Sequence, residues 1–229
     1  MSQLQCVGED IWSLEGPTIR FHGVPYATRA VLVRLPSGGL WFLSPPKLTE
    51  EDAQAVKALG PVEHLVEPNK IHSIGLASWH AQWPEAQVWV SPGFPSRHPG
   101  IAVDHVLGEA TVPWSEVIDH HLFAGHAILD EVVFLHRPSK TLLVTDLIQK
   151  HDPARDSPLF RVLKWFGGAL GPRGGMPRDI RASFTDRQAA RDSRARILSW
   201  NFDQLIVAHG LCVPTGAKAE VSRVLACLG

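Results

Sequence analysis

Short apolar runs separated by turn residues fill the first 45 positions, and none is long enough to make a helix. Runs at 10–14, 18–22, 30–35 and 40–43 are divided by Gly16-Pro17, by Gly23 and Pro25, and by Pro36-Ser37-Gly38-Gly39. Runs of this length bounded by Gly and Pro predict strands, the last two forming a hairpin whose glycines supply positive φ. Thr49 then precedes a helical pattern, with Asp52 three residues on and Gly60 behind it. That arrangement predicts a capped helix over 50–59. A strand at 62–66 completes a β-α-β crossover, which requires strands 40–43 and 62–66 to run parallel in a layered sheet. The loop leaving it reads Glu67-Pro68-Asn69-Lys70-Ile71-His72.

A short helix over 74–82, a strand at 87–90 and a turn-rich stretch over 94–109 follow. His98 and His105 in that stretch read as solvated loop residues. A strand at 117–122 carries His120 and His121, which as strand neighbours must point to opposite faces.

The centre of the chain is a second hairpin. Strands at 132–136 and 141–145 flank Arg137-Pro138-Ser139-Lys140, Gly125-His126 precedes the first, and Asp146 closes the second. Strand ends carry function more often than strand middles, because the sheet holds them while the loop opens them to solvent. An imidazole and a carboxylate on one rim could share a divalent metal. The same residues also suit a structural role, His126 capping a turn and Asp146 capping a helix that starts at Leu147. Asp130 and Glu131 read as a solvated strand start, His136 as a surface residue, His64 as a core or rim residue. His22 and Tyr26 beside Pro25 carry no specific pattern. Beyond Asp146 the texture turns helical. An amphipathic turn or two covers 160–166, five glycines in 167–177 read as a flexible connection, and 186–200 is a strong helix. A strand at 202–207 runs into His209-Gly210, and a helix from about 217 to 227 ends the sequence. Arg173, Arg178 and Arg181 suit either a clamp for an anionic substrate or a solvated loop.

With 229 residues, 45% hydrophobic and 20% charged, the chain reads as an ordinary globular protein, a single domain over 1–229. A net charge of -1 offers no electrostatic case for nucleic acid or an acidic membrane surface, so the expected partner is a small-molecule substrate. Three scattered cysteines exclude a disulfide scaffold and a thiolate zinc site, and they suit a reducing, cytoplasmic setting. No signal-like start and no apolar run of about 20 residues is visible. Twelve histidines keep imidazole ligation in view.

Three pieces, in order, resemble the metallo-β-lactamase-like superfamily. GHAILDEVVFLHRPSKTLLVTDL is similar to its Gly-His, strand, hairpin and strand ending in aspartate. FDQLIVAHG is similar to its last strand ending in His-Gly, and VEHLVEPNKIHSIGLASW occupies the place of its histidine-rich loop. The closest resemblance is to an uncharacterised branch of that superfamily. It implies an α/β fold, the four-layer αβ/βα sandwich. It also implies His126 and His209 as imidazole ligands and Asp146 as the carboxylate ligand of a divalent ion, which activates water against an ester, amide or phosphoester.

The superfamily loop reads His-x-His-x-Asp-His. With Gly75 marking the register, His72 falls at the aspartate, Ser73 at the last histidine, and Pro68 and Lys70 at the first two. Proline cannot ligate and an ammonium repels a cation. The resemblance therefore carries one ion, zinc or iron, held by His72, His126, Asp146 and His209, with catalytic roles for Asp146 and His72. Asp146 is preferred to Asp130 because a second rigid strand adds more preorganisation than the loop that already supplies His126. Three readings stay open: a metal-dependent hydrolase, a non-catalytic binding or scaffold protein that lost its metal, and an oxygen-reactive iron redox enzyme.

Overall fold

A computed structural model describes residues 4–108 and 111–229. The first three residues and Glu109, the end of the turn-rich stretch, lie outside them. The chain forms two compact units, 1–17 with 28–117, and 18–27 with 118–229.

The first unit holds a seven-stranded sheet except for the far end of its β2–β3 hairpin, residues 18–27, which is counted with the second unit. Its strands, adjacent in chain order, are β1 (Leu4–Gly8), β2 (Ile11–Phe21), β3 (Val24–Arg34), β4 (Leu40–Leu43), β5 (Val62–Glu67), β6 (Gln87–Val90) and β7 (His105–Val106). Pairing is antiparallel at β1–β2 and β3–β4 and parallel from β4 through β7. The expected crossover is present, with α1 (Glu50–Leu59) between β4 and β5. Thr49 Oγ1 accepts the Asp52 N–H at 3.2 Å, and the chain leaves the helix at Gly60. The helices α2 (Leu76–Gln82) and α3 (Phe94–Arg97) follow β5 and β6. Leu14, Leu32, Phe42, Val56, Leu65, Trp79 and Val88 make one buried apolar cluster, and the Trp79 indole donates to the Pro46 carbonyl at 2.7 Å.

Two expectations change here. The runs at 10–14 and 18–22 are one strand, β2, that continues through Gly16-Pro17. It turns into β3 at His22 (φ 47°) and Gly23 (φ 82°), the pair of positive φ values that matches the twist of a tight hairpin. His98 and His105 are half-buried against aromatic rings rather than loose in solvent. His98 lies against Phe94 and its Nε2 meets the Lys70 carbonyl at 2.9 Å, while His105 stacks on Trp89 with centroids 4.0 Å apart. Trp89 and Trp114 enclose His64, whose Nδ1 accepts the Trp89 indole N–H at 3.2 Å.

The second unit contains a four-stranded sheet in the order β11 (Gln204–Val207), β10 (Thr141–Val144), β9 (Val132–His136), β8 (Ile118–Leu122). The β10–β11 pair is parallel and the other two are antiparallel. Its helices are α4 (Pro158–Phe166), α5 (Arg178–Ala182), α6 (Arg187–Ser199) and α7 (Ala217–Leu225). Asp186 caps α6 through the N–H groups of Gln188 and Ala189. His136 is buried rather than at the surface, and its Nδ1 meets Ser139 Oγ at 2.7 Å across the hairpin turn.

Glu67, the last residue of β5, is 1% exposed, and neither carboxyl oxygen has a hydrogen-bond partner among the described residues. Burial pushes its carboxyl well above the usual carboxylate value. The sign follows from the unfolded chain, which ionises near 4.5 while the folded chain holds the proton. Stability at this site is complete below that pH and falls as pH rises. Glu67→Met is expected to raise stability at pH 8 by about 1–3 kcal/mol, the usual penalty of a buried unsatisfied polar group. It is also expected to flatten the dependence between pH 5 and 8, read as urea midpoints; a lower midpoint at pH 8 would show that Glu67 has a stabilising partner.

Candidate functional site

The second unit brings Asp146 and His209 together through strand register. In the parallel β10–β11 pair Val144 lies opposite Val207, and the Ala208 N–H donates to the Val144 carbonyl at 3.1 Å. Asp146 and His209 each stand two residues beyond the matched pair, so their side chains leave the same sheet end side by side. His209 Nε2 lies 3.2 Å from Asp146 Oδ1, and both side chains are buried.

What holds Asp146 in place is Glu131, just ahead of β9. Its carboxylate is 0% exposed and accepts the backbone N–H groups of Thr145, Asp146 and Leu147 at 2.8, 2.7 and 3.0 Å. This replaces the solvated strand start expected of Glu131. Burial first, and then the neighbouring Asp146, push the Glu131 carboxyl up, while the bonded N–H groups pull it down. No helix starts at Leu147. Instead Gln149, Lys150 and His151 pair as an irregular strand with Gly175, Gly210 and Leu170. The glycine-rich stretch 167–177 is therefore structural backing for this loop and not a flexible connection.

The His-Gly pair at 209–210 has a steric cause. Gly210 has φ 116°, and a Cβ there would lie 1.9 Å from the Lys150 carbonyl oxygen. Only glycine lets the two backbones approach this closely. Gly125, with φ 97°, is forced in the same way: a Cβ would lie 2.3 Å from the Asp186 carbonyl oxygen. The His126 it precedes accepts the Leu129 N–H at Nδ1, 2.8 Å away, and its ring edges onto Phe184. His126 is not a member of the group that Asp146 and His209 belong to.

His209 Nδ1 lies 2.7 Å from the Ala27 carbonyl oxygen. A carbonyl only accepts, so Nδ1 carries a hydrogen, and in the neutral ring Nε2 presents its lone pair to Asp146. A lone pair and a carboxylate oxygen at 3.2 Å repel unless a cation lies between them, either a proton on Nε2 or a metal ion. Ligand bonds of about 2.0–2.2 Å around a tetrahedral ion set two donor atoms about 3.3 Å apart, so the spacing suits a shared ion. An Nδ1–H held by a backbone carbonyl is also the usual support of a metal-bound imidazole.

Around the pair lie residues with no signal in the sequence. Gln149 Nε2 donates to Asp146 Oδ1 at 3.2 Å, and Gln149 Oε1 meets His151 Nε2 at 3.1 Å. Tyr26 presents its ring edge-on to His151 and His209, centroids 4.8 and 5.3 Å away. Burial, then Asp146 and Asp179, push its phenol up, so it stays a neutral hydroxyl. His151 is held down to about 3 by burial first and by Lys164 and His209 next, against Asp146. It is a neutral ring at neutral pH.

In the first unit His72 is half-buried on the loop after β5. Its N–H and that of Ile71 both donate to Asn69 Oδ1, at 3.1 and 2.9 Å, and its Nδ1 is hydrogen-bonded to Ser44 Oγ. With Nδ1 engaged, an ion would have to take Nε2.

A family model described as a domain of unknown function (DUF4336) matches residues 8–156. No curated protein matches the sequence. Solved structures do. The metallo-β-lactamase DIM-1 exposed to ceftazidime is 15% identical with a TM-score of 0.68, over 100% of this chain and 98% of that one. The metallo-β-lactamase from Pontibacter korlensis is 16% identical with a TM-score of 0.66, over 100% and 99%. The FIM-1 metallo-β-lactamase from Pseudomonas aeruginosa, in its mono-zinc form, is 12% identical with a TM-score of 0.63, over 98% and 95%. Together with the two mixed sheets and their helices, these similarities establish the metallo-β-lactamase-like α/β fold.

Two outcomes test the site's scaffold. Glu131→Gln, which weakens three charge-assisted bonds, is expected to lower stability by about 2–3 kcal/mol in denaturant titrations; an unchanged midpoint would mean the loop is held by something else. His151 supplies the second. The unfolded ring takes a proton near 6.5 and the folded ring near 3, so stability contributed there falls as pH drops between those values. Thermal melts of His151→Gln should lose less than wild type between pH 6.5 and 4.

Proposed function

Given that the chain belongs to the DUF4336 family, we propose that it is a metal-dependent hydrolase-like protein in which Asp146 and His209 bind one divalent ion, zinc or iron. The observation that carries this reading is the 3.2 Å approach of His209 Nε2 to Asp146 Oδ1 with Nδ1 committed to a carbonyl. His72 is kept as a further ligand on the register of its loop. A bound ion of this kind lowers the pKa of a coordinated water, making hydroxide available near neutral pH to attack an ester, amide or phosphoester.

The protein's own groups act around that chemistry. Asp146 accepts from Gln149 and faces His209, so its carboxylate is fixed in one rotamer by contacts on Oδ1. Glu131 fixes the backbone beneath it. Neutral His151 and the Tyr26 hydroxyl line the same buried neighbourhood without adding charge.

A second reading is favoured by the loop after β5. Pro68 and Lys70 stand where the superfamily has histidines, and a proton on His209 Nε2 would satisfy Asp146 as well as a metal would. In that case the protein is a metal-free binding member of the fold. Metal content by mass spectrometry separates the two. Wild type is expected to hold close to one ion per chain. Asp146→Asn and His209→Ala should lose it, His72→Ala should weaken retention, and Asp130→Asn should keep most of it. His126→Ala, measured alongside, decides whether that histidine reaches the ion. Near-zero metal in wild type, after expression with added zinc or iron, would remove the hydrolase reading. A panel of ester, thioester and phosphodiester substrates then tests activity of the loaded protein, and a visible band distinguishes iron from zinc.

A further inference from the structure

Helix α4 is mounted with its apolar stripe facing solvent. Leu159, Val162, Leu163 and Phe166 stand at i, i+3, i+4 and i+7, the spacing of one helix face, with Trp165 beside them. All five are exposed, between 48% and 65%. A surface helix ordinarily turns such a stripe inward. Here the inward position is taken by Lys164, whose ammonium is buried between both Asp156 carboxylate oxygens, at 2.8 and 2.9 Å, and the Pro25 carbonyl, at 2.7 Å. Truncating either partner of a buried pair is strongly destabilising. The pair therefore locks the rotation of α4, and the apolar face stays out.

The rim of this face is basic. Arg155 precedes the helix and Arg161 lies on its flank, donating from Nε to the Asp156 carbonyl. Arg178 closes the C-terminal end, where its N–H meets the Gly167 carbonyl at 2.9 Å. All three arginines are exposed; of the nearby acids Asp156 is consumed by Lys164, and Asp179, next to Arg178, is exposed, which leaves the rim with a net positive charge. We propose that α4 docks this protein on the surface of a bilayer containing anionic lipid, with Leu159, Val162, Leu163, Trp165 and Phe166 entering the headgroup boundary and the arginines meeting lipid phosphates. Leucine and aromatic side chains on one face with arginines around it is the composition of helices that lie in a membrane interface. A second copy of this chain fits less well, because a two-fold contact sets the same patch against itself and brings arginine against arginine. No helix among the described residues is long and apolar enough to cross a membrane, so the mode is surface attachment. The overall charge of -1 carries no such attraction; the attraction is local to this rim.

The test is cosedimentation of the full chain with phosphatidylcholine vesicles, with and without phosphatidylglycerol. The expected result is binding to the phosphatidylglycerol vesicles, weakened by high salt, and on the order of tenfold weaker for Leu163→Glu and for Trp165→Ala, in line with loss of one buried apolar side chain. Circular dichroism of both variants confirms that they fold, as expected for exposed positions. The proposal is overturned if no vesicle binds the chain, if neutral vesicles bind it equally, or if both variants bind as wild type does. Sedimentation velocity showing a dimer that Leu163→Glu dissolves would also overturn it, in favour of a self-association face.

Discussion

A carboxylate closed off from water, Glu131, receives three consecutive backbone N–H groups at the point where the chain leaves β10. Bonds to an ionised acceptor are roughly twice as strong as neutral ones, and here three of them offset part of the desolvation that pushes the Glu131 carboxyl up. The consequence is geometric. With those N–H groups engaged, the backbone of 145–147 is held to one course, and Asp146 is kept at the sheet end beside His209. Everything at the candidate site depends on that loop having one conformation.

The loop is backed on its far side by chain that looks loose in isolation. Gly171, Gly174 and Gly175 pass so close to residues 149–151 that their backbones act as the packing surface. Lys150 is tied there too, to the Pro172 carbonyl at 2.6 Å and to Glu220 on α7. Glu220 is held down to about 2 by its bonds to Arg223 and then Lys150, so the tie is a carboxylate–ammonium one at neutral pH. Charged groups at the periphery thus brace a site whose interior rings, Tyr26 and His151, are neutral.

The same economy orients α4. A buried Lys164–Asp156 pair is a weak source of net stability, since desolvation offsets much of the attraction. It is nevertheless directional, and a helix pinned by its lysine has no freedom to roll its leucines inward. Stability and display are separated: the ion pair settles rotation, and the apolar residues are left available for contact.

The sequence by itself determined what depends on neighbours along the chain. The cap at Thr49 and the stop at Gly60 bound α1, short continuous apolar runs mark β9 and β10, and Gly-His and His-Gly mark residues 125–126 and 209–210. These are local choices of φ and period, so they are legible without the fold. Only the tertiary structure decided that Asp146 meets His209, because that depends on the register of two strands some sixty positions apart. It also decided that Glu131 and His136 are buried, that 167–177 is packed, that Gly16-Pro17 continue a strand, and that the stripe of α4 faces outward. For Glu131, for 167–177 and for α4 the deciding partner is a distant N–H, carbonyl or counter-charge. Hydrophobic period records how often a side chain faces inward, but not which backbone group or ion it finds there.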